Sequence, residues 1–256
     1  MPIKRHKIQR YGWVPDLPDH RDFLYAAPTQ FQQNFPEKVD LTNQCPPVYD
    51  QGQLGSCTAN AIAGAIEFDQ IKQKLSEFTP SRLFIYYNER DMEGTVNSDS
   101  GAQIRDGIKS VGNLGACPEK EWPYDITKFS QKPPNNCYSD ASQHVVKLYQ
   151  RLVQELGTMK GCLASGYPFV FGFTVYESFE SQTVAQTGIV PMPKTSEAVL
   201  GGHAVLCVGY DDTSEQFIVR NSWGDGWALK GYFRMPYAYM TARRLASDFW
   251  TIRTVE

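Results

Sequence analysis

The sequence predicts an α+β fold in two lobes, and three observations carry that prediction. From Val48 to about Asn135 the apolar residues recur mainly at helical spacing. After the proline-rich run Gln131-Lys132-Pro133-Pro134-Asn135-Asn136, short apolar strands dominate. A chain of 256 residues, 41% hydrophobic and 21% charged, is also long enough to bury a core that splits into two lobes. Residues 1–34 stand apart as an extension, 35–135 form the helical lobe and 136–256 the β-rich lobe.

Each element has its own warrant. Ala59 to Leu75 reads as a long central helix, with Ala61, Ile62, Ala65, Ile66 and Phe68 toward the core and Lys72 and Lys74 outward. Thr79-Pro80-Ser81-Arg82 opens a second helix with proline near its first turn, and Gln103 to Val111 gives a third. Val145 to Met159 is expected as another helix. Strands are expected at Phe169 to Val175, His203 to Tyr210, Gln216 to Asn221, Gly231 to Met235 and Phe249 to Arg253. The extension holds Tyr11-Gly12-Trp13-Val14-Pro15-Asp16-Leu17-Pro18-Asp19-His20-Arg21-Asp22-Phe23, rich in proline, aspartate and aromatics, so it is expected to be extended and pinned by side chains.

Three segments carry chemistry. Gln51-Gly52-Gln53-Leu54-Gly55-Ser56-Cys57 places a cysteine behind a glycine-rich turn at the start of the central helix, where unpaired N–H groups and the helix dipole favour a thiolate. Gly201-Gly202-His203-Ala204 puts a histidine at a strand entry, and Asn221-Ser222-Trp223-Gly224-Asp225-Gly226-Trp227 ends another strand in a Gly/Trp-rich turn. Taken singly, each has a bland reading: an idle cysteine, a satisfied core histidine, a plain turn. Cysteine, histidine and a side-chain amide in that order are the parts of a thiol-protease triad.

These blocks, with Asp99-Ser100-Gly101-Ala102, Trp122-Pro123-Tyr124 and Pro36-Glu37-Lys38-Val39-Asp40, resemble the papain (C1-type) family of cysteine peptidases, in a compact, cathepsin-like branch with a short N-terminal extension. The resemblance implies a helical left lobe, a β-barrel-like right lobe and an active-site cleft between them. It implies Cys57 as nucleophile forming an acyl-thioester, His203 as its imidazolium partner, Asn221 orienting that ring under the shield of Trp223, and Gln51 as an oxyanion-hole donor. Substrate contacts are implied at Gly55, Ser56, Gly101, Ala102, Gly172, Gly202 and Trp223, with Gly101 offering its backbone to an extended peptide. The pocket beside the nucleophile, drawn from Ala102, Gln103, Gly172, Gly201 and Gly202, is expected to be roomy, mostly uncharged and selective for an apolar or aromatic side chain two residues before the cut.

The departures are as specific. Leu54 and Thr58 stand where the family has a cysteine and an aromatic residue, and Asn97 to Gly101 holds no cysteine, so a family disulfide is missing. Cys45, Cys117, Cys137 and Cys162 leave one or two bridges open, while Cys207 reads as a core residue. This usage, and the lack of an apolar signal stretch in Met1 to Arg10, point to the cytoplasm. A net charge of −3 gives no case for nucleic acid or membrane partners, and no metal or cofactor motif is evident. The expected partners are a peptide or protein substrate and the chain's own N-terminal segment as an intramolecular ligand. That segment reads either as a short propeptide crossing the cleft or as a permanent strap along the lobes, and its anchoring aromatics favour the strap. It holds no cysteine, so a mixed disulfide with Cys57 is ruled out. Two other readings remain beside an endopeptidase: a binding or regulatory protein with a decayed site, and an exopeptidase in which Arg90 to Asp99 or Ala185 to Leu200 blocks one end of the cleft.

Overall fold

The computed structural model describes residues 11–29 and 35–255. Strand β1 (Lys38–Asp40) leads into helix α1 (Cys57–Gln73), followed by α2 (Arg82–Glu93), α3 (Ile104–Asn113) and the short α4 (Asn135–Ala141). Then come β2 (Val146–Arg151), α5 (Leu156–Ala164), β3 (Phe169–Tyr176), α6 (Gln182–Thr187), β4 (Val199–Asp211), β5 (Gln216–Arg220), β6 (Tyr232–Pro236), α7 (Tyr237–Thr241) and β7 (Ala246–Val255).

Small and apolar residues, with Asn60, Glu67 and Gln70 hydrogen-bonded, let α1 run through the interior, buried from Cys57 to Gln70. It packs on β4 and β7 on one side and on α2 and α3 on the other, so one helix ties the lobes together. Lys74, in the left-handed conformation, ends it. Helix α2 starts where the Ser81 hydroxyl accepts the Phe84 N–H (3.2 Å) and ends at Gly94, also left-handed. Helix α3 buries Ile104, Ile108 and Val111, one stripe at helical spacing.

All strand pairs are antiparallel, in the order β2-β7-β3-β4-β5-β6, with β1 added beside β4. The long β4 sets the site: His203 lies opposite Phe173 and Ala204 opposite Gly172. Phenylalanines 169, 171, 173, 179, 217, 233 and 249 fill the interior of this lobe.

The helix expected over Val145 to Met159 does not form as one element. Its first half is β2, paired with β7, and α5 begins only at Leu156. Val146, Leu148 and Tyr149 suit a half-buried edge strand as well as a helix face, and the edge of β7 takes them.

The N-terminal segment is extended and fastened at three levels. At the first, Trp13 N–H donates to Gly202 O (2.9 Å), Ala102 N–H to Gly12 O (2.8 Å) and Val14 N–H to Ala102 O (3.0 Å). At the second, the Arg105 N–H donates to Asp16 Oδ1 (3.0 Å) and the Trp250 indole to Asp16 Oδ2 (3.0 Å). At the third, the buried Asp22 carboxylate takes the Arg105 guanidinium (2.6 Å) and Arg151 Nη1 (2.9 Å), while Phe23 and Tyr25 pair with the Arg151 backbone (2.8 Å each). The segment is therefore pinned as a strap is, yet residues 11–14 also cross the cleft, which a strap along the lobes alone would not do.

Candidate active site

Cys57 is the first residue of α1, and its sulfur is fully buried. Sγ accepts the N–H of Ala204 (3.3 Å), the residue after His203, and also the N–H of Gly12. Burial pushes the thiol up to about 12, outweighing those donors. The helix start was expected to favour a thiolate; with the strap in place desolvation wins, and the group is a thiol.

His203 is equally buried. Its Nε2 meets Asn221 Oδ1 at 2.8 Å, and the same oxygen accepts the Ser222 N–H (2.9 Å), so the amide oxygen is held in one orientation. Trp223 lies across the imidazole at 5.2 Å between ring centres, with Phe173 and Phe179 on the other sides. These rings keep water from the histidine–asparagine contact.

Gln51 is fully buried beside the turn that delivers Cys57. Its Oε1 accepts the Ser222 hydroxyl (2.6 Å), its Nε2 donates to Leu54 O (3.0 Å) and its N–H donates to Ser222 O (2.9 Å). Ser222 thus fixes the orientation of the amide, with Nε2 turned to Leu54 on the turn that delivers Cys57. Behind the turn, both oxygens of Asp99 accept the Gly55 N–H (3.0 and 3.1 Å), and Asp99 also accepts the Tyr86 hydroxyl. This acid ties the Gly55 turn to the segment where the family disulfide is missing. All six cysteines are free.

The cleft residues singled out by sequence come together, with two differences. Gly55, Gly101, Ala102, Gly172 and Gly202 all touch the strap: a Cβ at Gly12 would strike Gly55 O, one at Gly101 would strike Gly12 O, and ones at Gly172 and Gly202 would strike the Trp13 ring. The bare glycines are what let the strap lie this close. Ser56 instead bonds Tyr124 from inside the lobe, through its hydroxyl. The first difference is that Ala102, not Gly101, exchanges backbone hydrogen bonds with the chain in the cleft; the Gly101 N–H goes to the Tyr86 hydroxyl (3.2 Å). The second is that the pocket is not free of acids. The Trp13 indole N–H donates to Asp248 Oδ2 at 3.2 Å, and Asp248 is buried. Asp248 lies far from the pocket's other residues in sequence and reaches it from β7 at a left-handed backbone angle (φ 59°), a placement no local pattern signals. Tyr11 sits beside His203, 5.9 Å between ring centres, and its hydroxyl donates to Glu180.

Among the described residues there is no group of three or more His, Cys, Asp or Glu placed to hold a metal ion, and no helix long and apolar enough to cross a membrane. A buried cysteine and histidine presented by opposite lobes, with an amide behind each, define a two-lobed thiol hydrolase. The model of the papain family cysteine proteases matches residues 35–249, and the chain belongs to that family. It is a cysteine peptidase in which Cys57 and His203 are the catalytic pair. It is similar to xylellain, a cysteine protease from Xylella fastidiosa, at 50% identity and TM-score 0.91 over 99% of both chains. It is also 44% identical to an uncharacterized peptidase C1-like protein, L477, of Acanthamoeba polyphaga mimivirus, over 96% of this chain and 88% of that one. Procathepsin B S9 from Trypanosoma congolense, 18% identical with TM-score 0.75 over 96% of this chain and 86% of that one, shares the fold. The strap, residues 11–29, precedes the family-model match; the xylellain likeness extends over it.

Proposed function

We propose that the protein is an endopeptidase held latent by its own residues 11–14. Cys57 attacks the peptide carbonyl once His203 has taken its proton, and His203 then returns the proton to the leaving amine. Asn221 orients the imidazole. Gln51 Nε2 and the Cys57 N–H receive the oxyanion of the tetrahedral intermediate, with Ser222 as the positioning residue for Gln51.

The observation that carries the latent state is the packing of the strap over the nucleophile: the Gly12 carbonyl accepts the Ala102 N–H (2.8 Å), Gly12 lies against Gly55, and the Trp13 ring lies on Gly172 and Gly202. A bound peptide reacts only if its carbonyl is free to turn toward the sulfur and the oxyanion donors; here the Gly12 carbonyl is committed to the Ala102 N–H. The strap therefore fills the cleft as an inhibitor and not as a substrate. With it displaced, the thiol regains solvent while keeping the Ala204 and helix-start donors, and its pKa falls.

Gly12→Ala, which has no room for its methyl against Gly55, is the variant that opens the cleft. Incubated with peptides blocked at both ends, the opened enzyme is expected to cut them internally, and Cys57→Ala in the same background is expected to abolish cutting. Trimming of unblocked peptides with no cut in the blocked ones would contradict endopeptidase action, and no cleavage alongside a labelled Cys57 would leave the decayed-site reading.

A further inference from the structure

Resting on that reading, we infer that the pocket beside the nucleophile selects a side chain ending in a neutral N–H donor, tryptophan above all, and that Asp248 makes the selection. The pocket's shape is set by what is missing: glycines 172 and 202 leave a flat slot that the Trp13 ring fills, with no space for a Cβ at either position. Its chemistry is set by Asp248. Oδ1 of that residue faces Arg151 Nη2 at 3.4 Å, a contact within the body of the enzyme. Oδ2 accepts the Trp13 indole N–H (3.2 Å) and the Asp16 N–H (2.8 Å), and both donors belong to the strap.

When the strap leaves, Oδ2 loses both of these donors, while Asp248 keeps Arg151 and the Ser247 side chain. A ligand that then seals the slot from water binds better if it supplies a donor at its far end, because the carboxylate has lost two hydrogen bonds and each one not replaced in a dry site costs desolvation. Phenylalanine has the width and lacks the donor. Glutamate brings a second negative charge. Arginine has donors, yet it carries a second cation up to Arg151, which already balances Asp248. The indole has the flat shape, the N–H and no charge. The strap's own tryptophan is thus a template for the substrate residue that replaces it.

Two measurements test this. In the Gly12→Ala enzyme, peptides differing only at the residue two before the cut are expected to give kcat/KM for Trp roughly ten- to hundredfold above Phe. Adding Asp248→Ala is expected to bring the two within about twofold. Phe equal to or better than Trp, or a Trp preference that survives loss of Asp248, overturns the inference. The second measurement needs no turnover: alkylation of Cys57 by iodoacetamide in full-length protein, across the cycle of Trp13→Phe, Asp248→Ala and the double variant. Trp13→Phe is expected to speed labelling about tenfold with Asp248 present and to add nothing without it. Additive effects overturn the role of Asp248. Coupling in the cycle with no peptide cut would sustain Asp248 as the indole acceptor and refute the peptidase reading alone.

Discussion

Gly12 passes so close to Gly55 that its Cα has no room for a methyl group, and this packing holds the Gly12 N–H on the sulfur of Cys57. Closure of the cleft depends on a position where only glycine fits. Gly12→Ala is accordingly expected to raise the rate of Cys57 alkylation at least tenfold and to leave the melting temperature within a few degrees, since of the strap's residues only Trp13 and Tyr25 are buried in the core. Labelling followed by mass spectrometry checks it.

The second anchor is electrostatic. Asp22 and Arg105 form a buried pair, with side chains 4% and 6% exposed, and Arg151 joins them. Removing one partner leaves a buried charge uncompensated, typically at about 3–5 kcal/mol. Asp22→Ala is expected to loosen the strap by a substantial part of that, seen as faster proteolytic nicking between Leu17 and Leu24 and faster Cys57 labelling. Unchanged nicking would show that the backbone pairing at Arg151 holds the segment alone.

Strap docking is expected to depend on pH through Asp16. Burial, with the charge of Asp248 adding to it, pushes the Asp16 carboxyl up to about 6, against the lowering effect of the Arg105 N–H and guanidinium and of the Trp250 indole. Asp248 is raised as well, first by burial. A carboxyl raised on docking takes up a proton as the strap binds. Its contribution is fully present below the free value of 3.8 and is lost as pH rises through about 6. The strap therefore holds tighter in acid and looser at neutral pH. The alkylation rate of Gly12→Ala divided by that of the parent cancels the titration common to both sulfurs. This ratio should be larger at pH 4.5 than at pH 7.5, and Asp16→Asn should flatten the dependence. A ratio that rises with pH would refute the assignment.

In the opened enzyme, Gln51→Ala is expected to lower kcat about 10²-fold or more with KM little changed, the pattern of a donor used only in the transition state. Ser222→Ala should give a smaller loss of the same kind, because it acts only through the orientation of Gln51. A change confined to KM would remove Gln51 from the oxyanion hole.

What the sequence revealed and what it hid divide along a physical line. Cys57, His203 and Asn221 were legible because each sits in a local pattern: a glycine turn into a helix, a Gly-Gly-His run that lies inside β4 and not at its entry as expected, and a strand end. The central helix was legible because Ala61, Ile62, Ala65, Ile66 and Phe68 recur at helical spacing. Hidden features depend on meetings between distant segments. Gly12 is one glycine among twenty until Gly55 and Gly101 lie against it. Asp248 belongs to the pocket only because β7 bulges beside β3. The helix misread at Val145 to Met159 fails for the same reason, since its first half is decided by an edge of β7 that local periodicity does not see.

The central claim is that residues 11–14 bury a competent nucleophile. The most direct measurement is the second-order rate of Cys57 alkylation in the full-length protein and in Gly12→Ala at one pH, with His203→Ala added to the latter. The account predicts slow labelling in the parent, at least tenfold faster labelling in Gly12→Ala, and loss of most of that gain with His203→Ala. Equal rates in parent and Gly12→Ala would contradict it.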